Sequence, residues 1–246
     1  MNLDILDNGA APTNEQPMIV SPFRRRQTRR VMIGDVPVGG NAPISVQTMT
    51  KTKTADAAAT IAQIKRCAEE GVDIVRVTVN SKDAAAALHE IVAESPVPIV
   101  SDIHFNHVLA LAAIEAGVAK VRINPGNIGK IERVQEVLSA AKDKGVPIRI
   151  GVNSGSLEKD ILDKHGYPTA EALFESAMRH AGVCADAGFE DVIISVKSTD
   201  VRLMIEAYRL IAERTDYPLH LGVTEAGTPR VGTIKSAVGI GTLLAE

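Results

Sequence analysis

Three short apolar segments of the sequence each carry one arginine between two aliphatic residues. They read Val75-Arg76-Val77, Val121-Arg122-Ile123 and Ile148-Arg149-Ile150. Because side chains alternate between the two faces of a strand, the aliphatic neighbours point one way and each guanidinium group points the other. A guanidinium group binds carboxylate or phosphate oxygens through two parallel hydrogen bonds. The pattern therefore predicts an anion site, provided that the three strands meet in one barrel.

The stretch around Arg122 has the layout of a strand, a loop and a helix start. Residues 124–126, Asn-Pro-Gly, interrupt the strand, and Asn127 is a good N-cap for the following helix. A helix N-terminus suits a phosphate group because its first amide groups are unpaired. An ordinary turn with a salt-bridged arginine explains this stretch alone equally well. The recurrence of the layout along the chain favours anion binding.

The elements that must position these arginines alternate between short apolar strands and amphipathic helices. We predict strands at residues 44–48, 73–79, 99–103, 120–123, 148–152, 191–196 and 218–223. We predict helices at residues 56–70, 82–94, 108–116, 128–144, 170–187, 201–214 and 233–245. Strict alternation indicates right-handed crossovers and a parallel sheet. A content of 45% hydrophobic but only 3% aromatic residues agrees with aliphatic strands covered by Ala-rich helices.

The pattern favours an α/β fold, a TIM-type (β/α) barrel. Seven strand–helix units occupy residues 25–246 and the eighth strand is missing, so we expect a barrel that is incomplete at its C-terminal end. A doubly wound open sheet is the alternative, but it usually has a glycine-rich loop after its first strand, and residues 48–53 contain no glycine. A short hairpin turning at Gly34-Asp35 could cover one barrel end. Residues 1–24 are predicted to be a disordered tail.

In such a barrel the carboxyl ends of the strands form the functional face. The polar residues predicted there are Gln47, Arg76, Asn80, Asp102, His104, Arg122, Asn124, Arg149, Asn153, Lys197 and Glu225. The three arginines and Lys197 outnumber the carboxylates of Asp102 and Glu225. Like charges in a barrel mouth are costly to desolvate unless anions meet them. The surplus of positive charge therefore favours a phosphate or diphosphate ligand over internal salt bridges.

Two carboxylates and one histidine of this set could carry acid–base chemistry. Asp102 and His104 lie two residues apart at a strand end, where they could act as general acid and base or as metal ligands. His104 could equally cap the next helix. Glu225 follows the last strand and is a candidate proton donor beside a bound anion, or else the partner of an arginine.

Charge and composition argue against several other classes of protein. The net charge of −3 disfavours general nucleic-acid binding, and no apolar run reaches the ~18 residues of a membrane span. The N-terminus lacks the order of a signal peptide. Cys67 and Cys184 fall in helical patterns without CxxC spacing, which predicts a reduced, cytoplasmic protein with two buried thiols. We interpret the basic residues within 24–30 as a solvated run rather than a docking patch.

Seven segments in order resemble one enzyme family. They are VQTMT (46–50), SDIHF (101–105), VRINPGNIG (121–129), PIRIGVNSGSLEK (147–159), ESAMRH (175–180), SVK (195–197) and HLGVTEAG (220–227). As a set they are similar to the 4-hydroxy-3-methylbut-2-enyl diphosphate synthases, iron–sulfur enzymes of the non-mevalonate isoprenoid pathway. The resemblance runs from about Arg29 to Glu246.

This resemblance implies a barrel that binds 2-C-methyl-D-erythritol 2,4-cyclodiphosphate, followed by a domain with a [4Fe-4S] cluster on three cysteines and a glutamate. It implies a homodimer in full-length enzymes and electrons from flavodoxin or ferredoxin. It further implies that Glu225 acts as acid near the departing oxygen and that Asp102 and His104 shape the pocket. The residues that would hold the diphosphate are Arg76, Arg122, Arg149, Asn153 and Lys197.

The chain departs from the family pattern after Lys197, where no cluster-binding cysteine follows. We therefore expect no metal site in this chain, and unpaired edges between its seventh and first strands that favour self-association. Two alternatives remain open at this point. One is a pterin-binding barrel transferase similar to dihydropteroate synthase, whose loop signatures are not found, and the other is a non-catalytic phosphate-binding barrel.

We predict that the chain alone does not carry out reductive turnover, because nothing in its sequence can deliver an electron. The measurement is product formation from the cyclodiphosphate with a chemical reductant and without added cluster. Product formed by the cluster-free chain would contradict the prediction.

Overall fold

The computed structural model describes residues 25–103, 106–123 and 131–246, and for Ile131 the backbone alone. The strands are β1 (Arg30–Ile33), β2 (Val36–Gly39), β3 (Gln47–Met49), β4 (Ile74–Thr78), β5 (Ile99–Ile103), β6 (Lys120–Ile123), β7 (Ile148–Asn153) and β8 (Val192–Lys197). The helices are α1 (Ala57–Glu69), α2 (Lys82–Glu94), α3 (His107–Glu115), α4 (Ile131–Lys144), α5 (Lys159–His165), α6 (Ala170–Asp186), α7 (Val201–Arg214) and α8 (Pro229–Ala245).

Strands β3 to β8 form one parallel sheet in sequence order. Helices separate successive strands, so the chain is an incomplete TIM-type barrel, as the alternation predicts. The register sets Asp102 opposite Arg122 and Arg122 opposite Arg149. Three neighbouring strands thus present charged residues at one level.

The hydrophobic core lies between this sheet and its helices. The aliphatic residues that flank the three arginines belong to it, and each is fully buried; they are Val75, Val77, Val121, Ile123, Ile148 and Ile150. Local signals fix the helices that cover them. Asp56, Ser81 and Thr169 cap α1, α2 and α6 by accepting a backbone hydrogen bond three residues ahead.

The predicted hairpin forms from β1 and β2 and closes one end of the barrel. Gly34 has a positive φ of 60°, and Asp35 does not, as a type II′ turn requires. A second apolar cluster joins the hairpin to the amino ends of the barrel strands; its buried members are Val31, Ile33, Ile74, Val100 and Ile193. The carboxyl ends of the strands therefore lie at the opposite end from this apolar plug.

The first predicted barrel strand is shorter than expected, and the seventh, residues 218–223, does not form a strand, so the described sheet has six strands rather than seven. Strand β3 enters the ladder at Gln47 and extends to Met49, and Ile44 and Val46 before it are more than half exposed. The amide of Val46 donates to the carboxylate of Asp73 instead. Residues 218–223 form a single bridge, between Leu219 and Ile194. In the described residues each segment pairs on one side alone, and a strand with one neighbour makes few ladder bonds.

Three further differences concern helices. The last helix begins at Pro229, four residues before its predicted start, because Thr228 is its N-cap and proline suits the first turn. Helix α5 and a short 3₁₀ turn at Ser154–Ser156 lie where a loop is predicted.

Of the two cysteines, Cys184 is buried, as predicted, but Cys67 is only partly buried. The predicted tail, residues 1–24, and the helix start at 128–130 lie outside the described residues.

The interpretation of the basic run as solvated is wrong for Arg26 and Arg29, which are partly buried and paired, whereas Arg25 and Arg30 are exposed as expected. Arg26 donates to the carbonyls of Ala212, Thr215 and Tyr217, at and just beyond the end of α7. Arg29 pairs with Asp216 and lies 4.3 Å from the centre of the Tyr217 ring. Carbonyls at a helix C-terminus are unpaired and attract cations. Arg26 and Arg29 therefore fasten the start of the barrel to the end of α7.

None of the helices described is long and apolar enough to cross a membrane.

We predict that Arg26→Ala lowers the free energy of unfolding by about 2 kcal/mol, because several backbone carbonyls lose their donor. Arg25→Ala is the matched control, since exposed Arg25 donates to one carbonyl, that of Ala42. Urea denaturation of the two variants measures the difference. Equal losses in both variants would contradict the role assigned to Arg26.

Candidate functional site

The carboxylate of Asp102 holds two of the three predicted arginines. Its Oδ1 lies 2.9 Å from Nη1 of Arg122, and its Oδ2 lies 3.6 Å from Nε of Arg76. Arg122 also donates to the carbonyl of Gly151, at 3.3 Å. The structure thus brings Arg76, Asp102 and Arg122 together, with Asp102 as an ion-pair partner. Its predicted acid–base partner His104 and the neighbouring candidate Asn124 lie outside the described residues.

Arg149 is buried without an ion pair among the described residues. It is 1% exposed, and its Nε and Nη1 atoms have no hydrogen-bond partner in that part of the chain. Burial first, and then the charges of Arg76 and Arg122, lower the pKa of Arg149 to about 9, against a smaller raising effect of Asp102. A buried guanidinium group with unused donors is costly and calls for an anion.

Lys197 ends β8 beside Asn153, its register partner on β7. Burial lowers the pKa of Lys197 to about 7, aided by Arg149, Arg76 and Arg122. Asn153 is partly buried, and within the described residues its side chain makes no hydrogen bond. Of the predicted binding residues, Asn153 and Lys197 end their strands and Arg122 is one residue from the end of β6. Arg76 is the middle residue of β4, and Arg149 is the second residue of β7, deeper in the barrel.

Glu225 differs from the buried cations in its surroundings. It is exposed, lies in the loop before α8 and has a positive φ of 48°. Among the described residues it forms no ion pair, so the alternative of an arginine partner finds no support there. A left-handed conformation at a non-glycine residue is uncommon and often marks a functional loop. Its role as a proton donor stays a prediction. Asn80, also exposed, lies two residues after the end of β4.

Sequence reasoning missed two basic residues inside the barrel. Lys120 starts β6, is 1% exposed and donates to Oε1 of Gln47, at 3.0 Å. His220 has a pKa well below its usual value because of burial, and then because of Arg149, Lys197 and Lys120. Lys120 precedes Arg122 by two residues, so period-two alternation could have found it. No local signal marks His220, whose position depends on the bridge to β8.

Two glycines make room for the charged side chains. A Cβ atom on Gly151 would lie 2.5 Å from Nε of Arg122, and one on Gly222 would lie 2.9 Å from Cε of Lys197. Contacts under about 3 Å are not tolerated without movement of the neighbour. The absence of side chains at these positions thus fixes where the two cations lie.

The loop after β7 is held by a polar cluster that the sequence did not reveal. Ser176 of α6 donates to Oε2 of Glu158, at 2.7 Å, and Nε2 of His180 lies 2.5 Å from Oε1 of the same carboxylate. Burial alone would raise the pKa of Glu158, but His180 and Ser176 outweigh burial and lower it to about 2. Ser154 of the same loop donates to Ser198, after β8. These contacts anchor the segment that follows Asn153.

The described residues do not fit a metal or an iron–sulfur cluster. No group of three or more histidine, cysteine or acidic side chains converges among them. Cys67 lies on α1 and Cys184 on α6. Burial raises the pKa of Cys184 to about 12, which disfavours the thiolate that binds metals.

A surface depression of about 510 Å³ lies away from these cations, in the outer helix layer. It is lined by His165, Glu171, Phe174, Glu175, Met178, Arg179 and Arg214. None of the predicted site residues borders it, and the ion pairs of Glu175 with Lys164 and His165 give its polar residues partners.

Comparison with known proteins gives a family match over most of the chain. The family described as the GcpE TIM-barrel domain matches residues 28–246. The 4-hydroxy-3-methylbut-2-en-1-yl diphosphate synthase (flavodoxin) of Acidithiobacillus ferrooxidans is 57% identical over 92% of this chain and 62% of its own length. The protein of the same name from Clostridium perfringens is 56% identical over 91% of this chain and 64% of its own length. The chain thus spans less than two thirds of these relatives.

Solved structures of similar fold are distant in sequence. A 3-dehydroquinate dehydratase from Geobacillus kaustophilus has a TM-score of 0.62 at 14% identity, covering 87% of this chain and 85% of its own. A dihydropteroate synthase from Xanthomonas albilineans has a TM-score of 0.52 at 15% identity, covering 89% and 99%. At such identities the likeness shows a shared barrel architecture alone.

We predict that Gly151→Ala displaces the guanidinium group of Arg122 from Asp102, since the new methyl group would occupy the place of Nε. The expected result is a fall in the free energy of unfolding of about 1–3 kcal/mol, measured by chemical denaturation. Gly155→Ala is the matched control, because a Cβ atom there meets nothing within 4 Å. Equal stability of the two variants would contradict the packing described.

Proposed function

Because the chain belongs to the GcpE TIM-barrel family, we propose that it supplies the substrate-binding barrel of a 4-hydroxy-3-methylbut-2-enyl diphosphate synthase. The reaction is the reductive ring opening and dehydration of 2-C-methyl-D-erythritol 2,4-cyclodiphosphate in isoprenoid biosynthesis. The relatives that carry this name exceed the chain in length, so the proposal assigns the chain substrate binding.

The observation that most supports this proposal is that Arg149 is buried and forms no ion pair among the described residues. Arg76 and Arg122 share one carboxylate, and Arg149 and Lys197 have no ion pair in the described part of the chain. Bringing several cations into a low-dielectric interior costs more than one carboxylate can offset. A diphosphate offers two negative charges and several acceptor oxygens, which suits guanidinium donors that have no other partner.

Each predicted residue then has a role that follows from its place. Arg76, Arg122, Arg149, Asn153 and Lys197 bind the diphosphate oxygens. Asp102 orients the guanidinium groups of Arg76 and Arg122, which supports the pocket-shaping role that the family resemblance implies. Exposed Glu225 would donate a proton to the departing oxygen, and His104, which lies outside the described residues, would shape the pocket together with Asp102. These assignments rest on geometry and on the match to family motifs.

Electrons would be delivered by parts of the full-length enzyme that this chain does not contain. The names of the relatives contain the word flavodoxin, and we propose flavodoxin as the donor, with ferredoxin as the alternative. A [4Fe-4S] cluster and a homodimer are expected for the full-length enzyme. Because the described residues of this chain do not fit a cluster, their proposed roles are confined to substrate binding and proton transfer. A cytoplasmic location remains an expectation from the cysteine usage.

The alternatives find less support. The likeness to dihydropteroate synthase is at 15% identity and concerns the fold, whereas the diphosphate synthases are 57% and 56% identical. A non-catalytic phosphate barrel would bind the cyclodiphosphate no better than other phosphorylated sugars.

We predict that isothermal titration calorimetry of the chain shows selective binding of the cyclodiphosphate over a linear sugar phosphate and a pterin diphosphate. Arg149→Met should weaken this binding about 100-fold, since a charge-assisted pair of hydrogen bonds is lost. Its thermal stability should not fall, because an unpaired buried charge is removed.

Arg133→Met is the control, since Arg133 is exposed on helix α4 rather than placed on a strand of the sheet. Equal affinity for all phosphorylated ligands would refute the proposed function. Preference for the pterin ligand would support a transferase instead.

A further inference from the structure

Lys120 is a buried basic residue that the roles above do not use. Its Nζ donates to Oε1 of Gln47, at 3.0 Å. Gln47 belongs to β3 and Lys120 to β6, and two strands separate them in the sheet. The hydrogen bond therefore crosses the interior of the barrel. Lys120 lies two residues before Arg122, on the same face of β6 and one level below it.

Among the described residues, the charged groups that act on Lys120 are all basic. Arg76 comes from β4, Arg149 from β7 and Lys197 from β8, and His220 comes from the segment bridged to β8. Among the described residues no carboxylate forms an ion pair with Lys120, and Asp102 is engaged with Arg76 and Arg122.

This surrounding suits a neutral amine. A protonated lysine has three donors, but the amide oxygen of Gln47 is the one acceptor found within the described residues. Burial, and then Arg149, Arg76 and Lys197, hold the pKa of Lys120 well below its usual value. A neutral amine avoids both the desolvation of a charge and repulsion from its neighbours.

We propose that Lys120 is a further residue of the anion site, neutral in the ligand-free chain, whose amine takes up a proton when the cyclic diphosphate binds. This inference rests on the proposed function. The two negative charges of the ligand would offset the field of the surrounding arginines, so the charged form of Lys120 becomes favourable. One proton moves from solvent to the nitrogen lone pair, and no bond of the ligand breaks. Lys120 thereby acts through the field of the site as a positioning residue.

The ligand itself supplies no proton. Each phosphorus of the cyclic diphosphate carries one strongly acidic hydroxyl group, so the ligand is fully ionised at neutral pH. The exchange of protons on binding therefore reports on the protein alone. Since binding raises the pKa of the amine, protons are taken up and the affinity falls as the pH rises. Lys197, whose pKa is about 7, should contribute up to one proton in the same direction.

The test is calorimetric titration of the chain with the cyclodiphosphate at about pH 8, in buffers of different ionisation enthalpy, which gives the number of protons taken up. The unmodified chain should take up more than the one proton available to Lys197. Lys120→Met should lose about one proton of uptake while still binding. Lys120→Gln is a second variant that keeps a donor toward Gln47. Lys144→Met, at an exposed ion pair with Glu115, should leave the count unchanged.

The outcomes separate the inference from the function on which it rests. An unmodified chain that binds but takes up one proton or fewer would overturn the inference alone, whether or not the variants fold. A folded Lys120 variant with undiminished uptake would do the same. Absence of binding by the unmodified chain would overturn the proposed function and this inference with it.

Discussion

The desolvation of several like charges inside one barrel is the constraint on which the structure depends. Arg76, Arg122 and Arg149 come from three strands, and a single carboxylate, Asp102, forms ion pairs with two of them. The free-energy cost of the third must be offset elsewhere in the fold. The aliphatic faces of the same strands provide this offset, since they are fully buried against helices. Because side chains alternate along each strand, the same strands place charged groups toward the barrel axis and aliphatic groups toward the helices.

Small residues and the hairpin complete this arrangement. Gly151 and Gly222 leave the volume that Arg122 and Lys197 occupy, so the positions of the cations depend on missing side chains as much as on present ones. The apolar cluster of the hairpin closes the amino end of the strands. This leaves the carboxyl end of the strands, which is where barrels of this class place their sites. Contacts of Glu158 with Ser176 and His180 anchor one of the loops there.

The comparisons with known proteins give two kinds of similarity, one of fold alone and one of sequence. Barrels with TM-scores of 0.62 and 0.52 share the architecture at 14% and 15% identity, which leaves their chemistry free to differ. The family match over residues 28–246 includes the strand arginines, Asp102, Lys197 and both glycines of the site. The architecture by itself does not decide a function, because the same layers of strands and helices support unrelated reactions.

The sequence by itself determined the order of strands and helices, the hairpin turn at Gly34 and the face on which each strand arginine lies. These features are local: they depend on periodicity, capping residues and turn geometry within a few positions. The early start of α8 was also a local signal, Thr228 before Pro229, that the prediction overlooked. Only the tertiary structure decided which charges become partners. Asp102 with two arginines, Arg149 with none in the described part of the chain, Lys120 with Gln47, and Arg26 with the end of α7 all join residues far apart in sequence. Such pairings depend on register and on the curvature of the sheet, which no short window of residues contains.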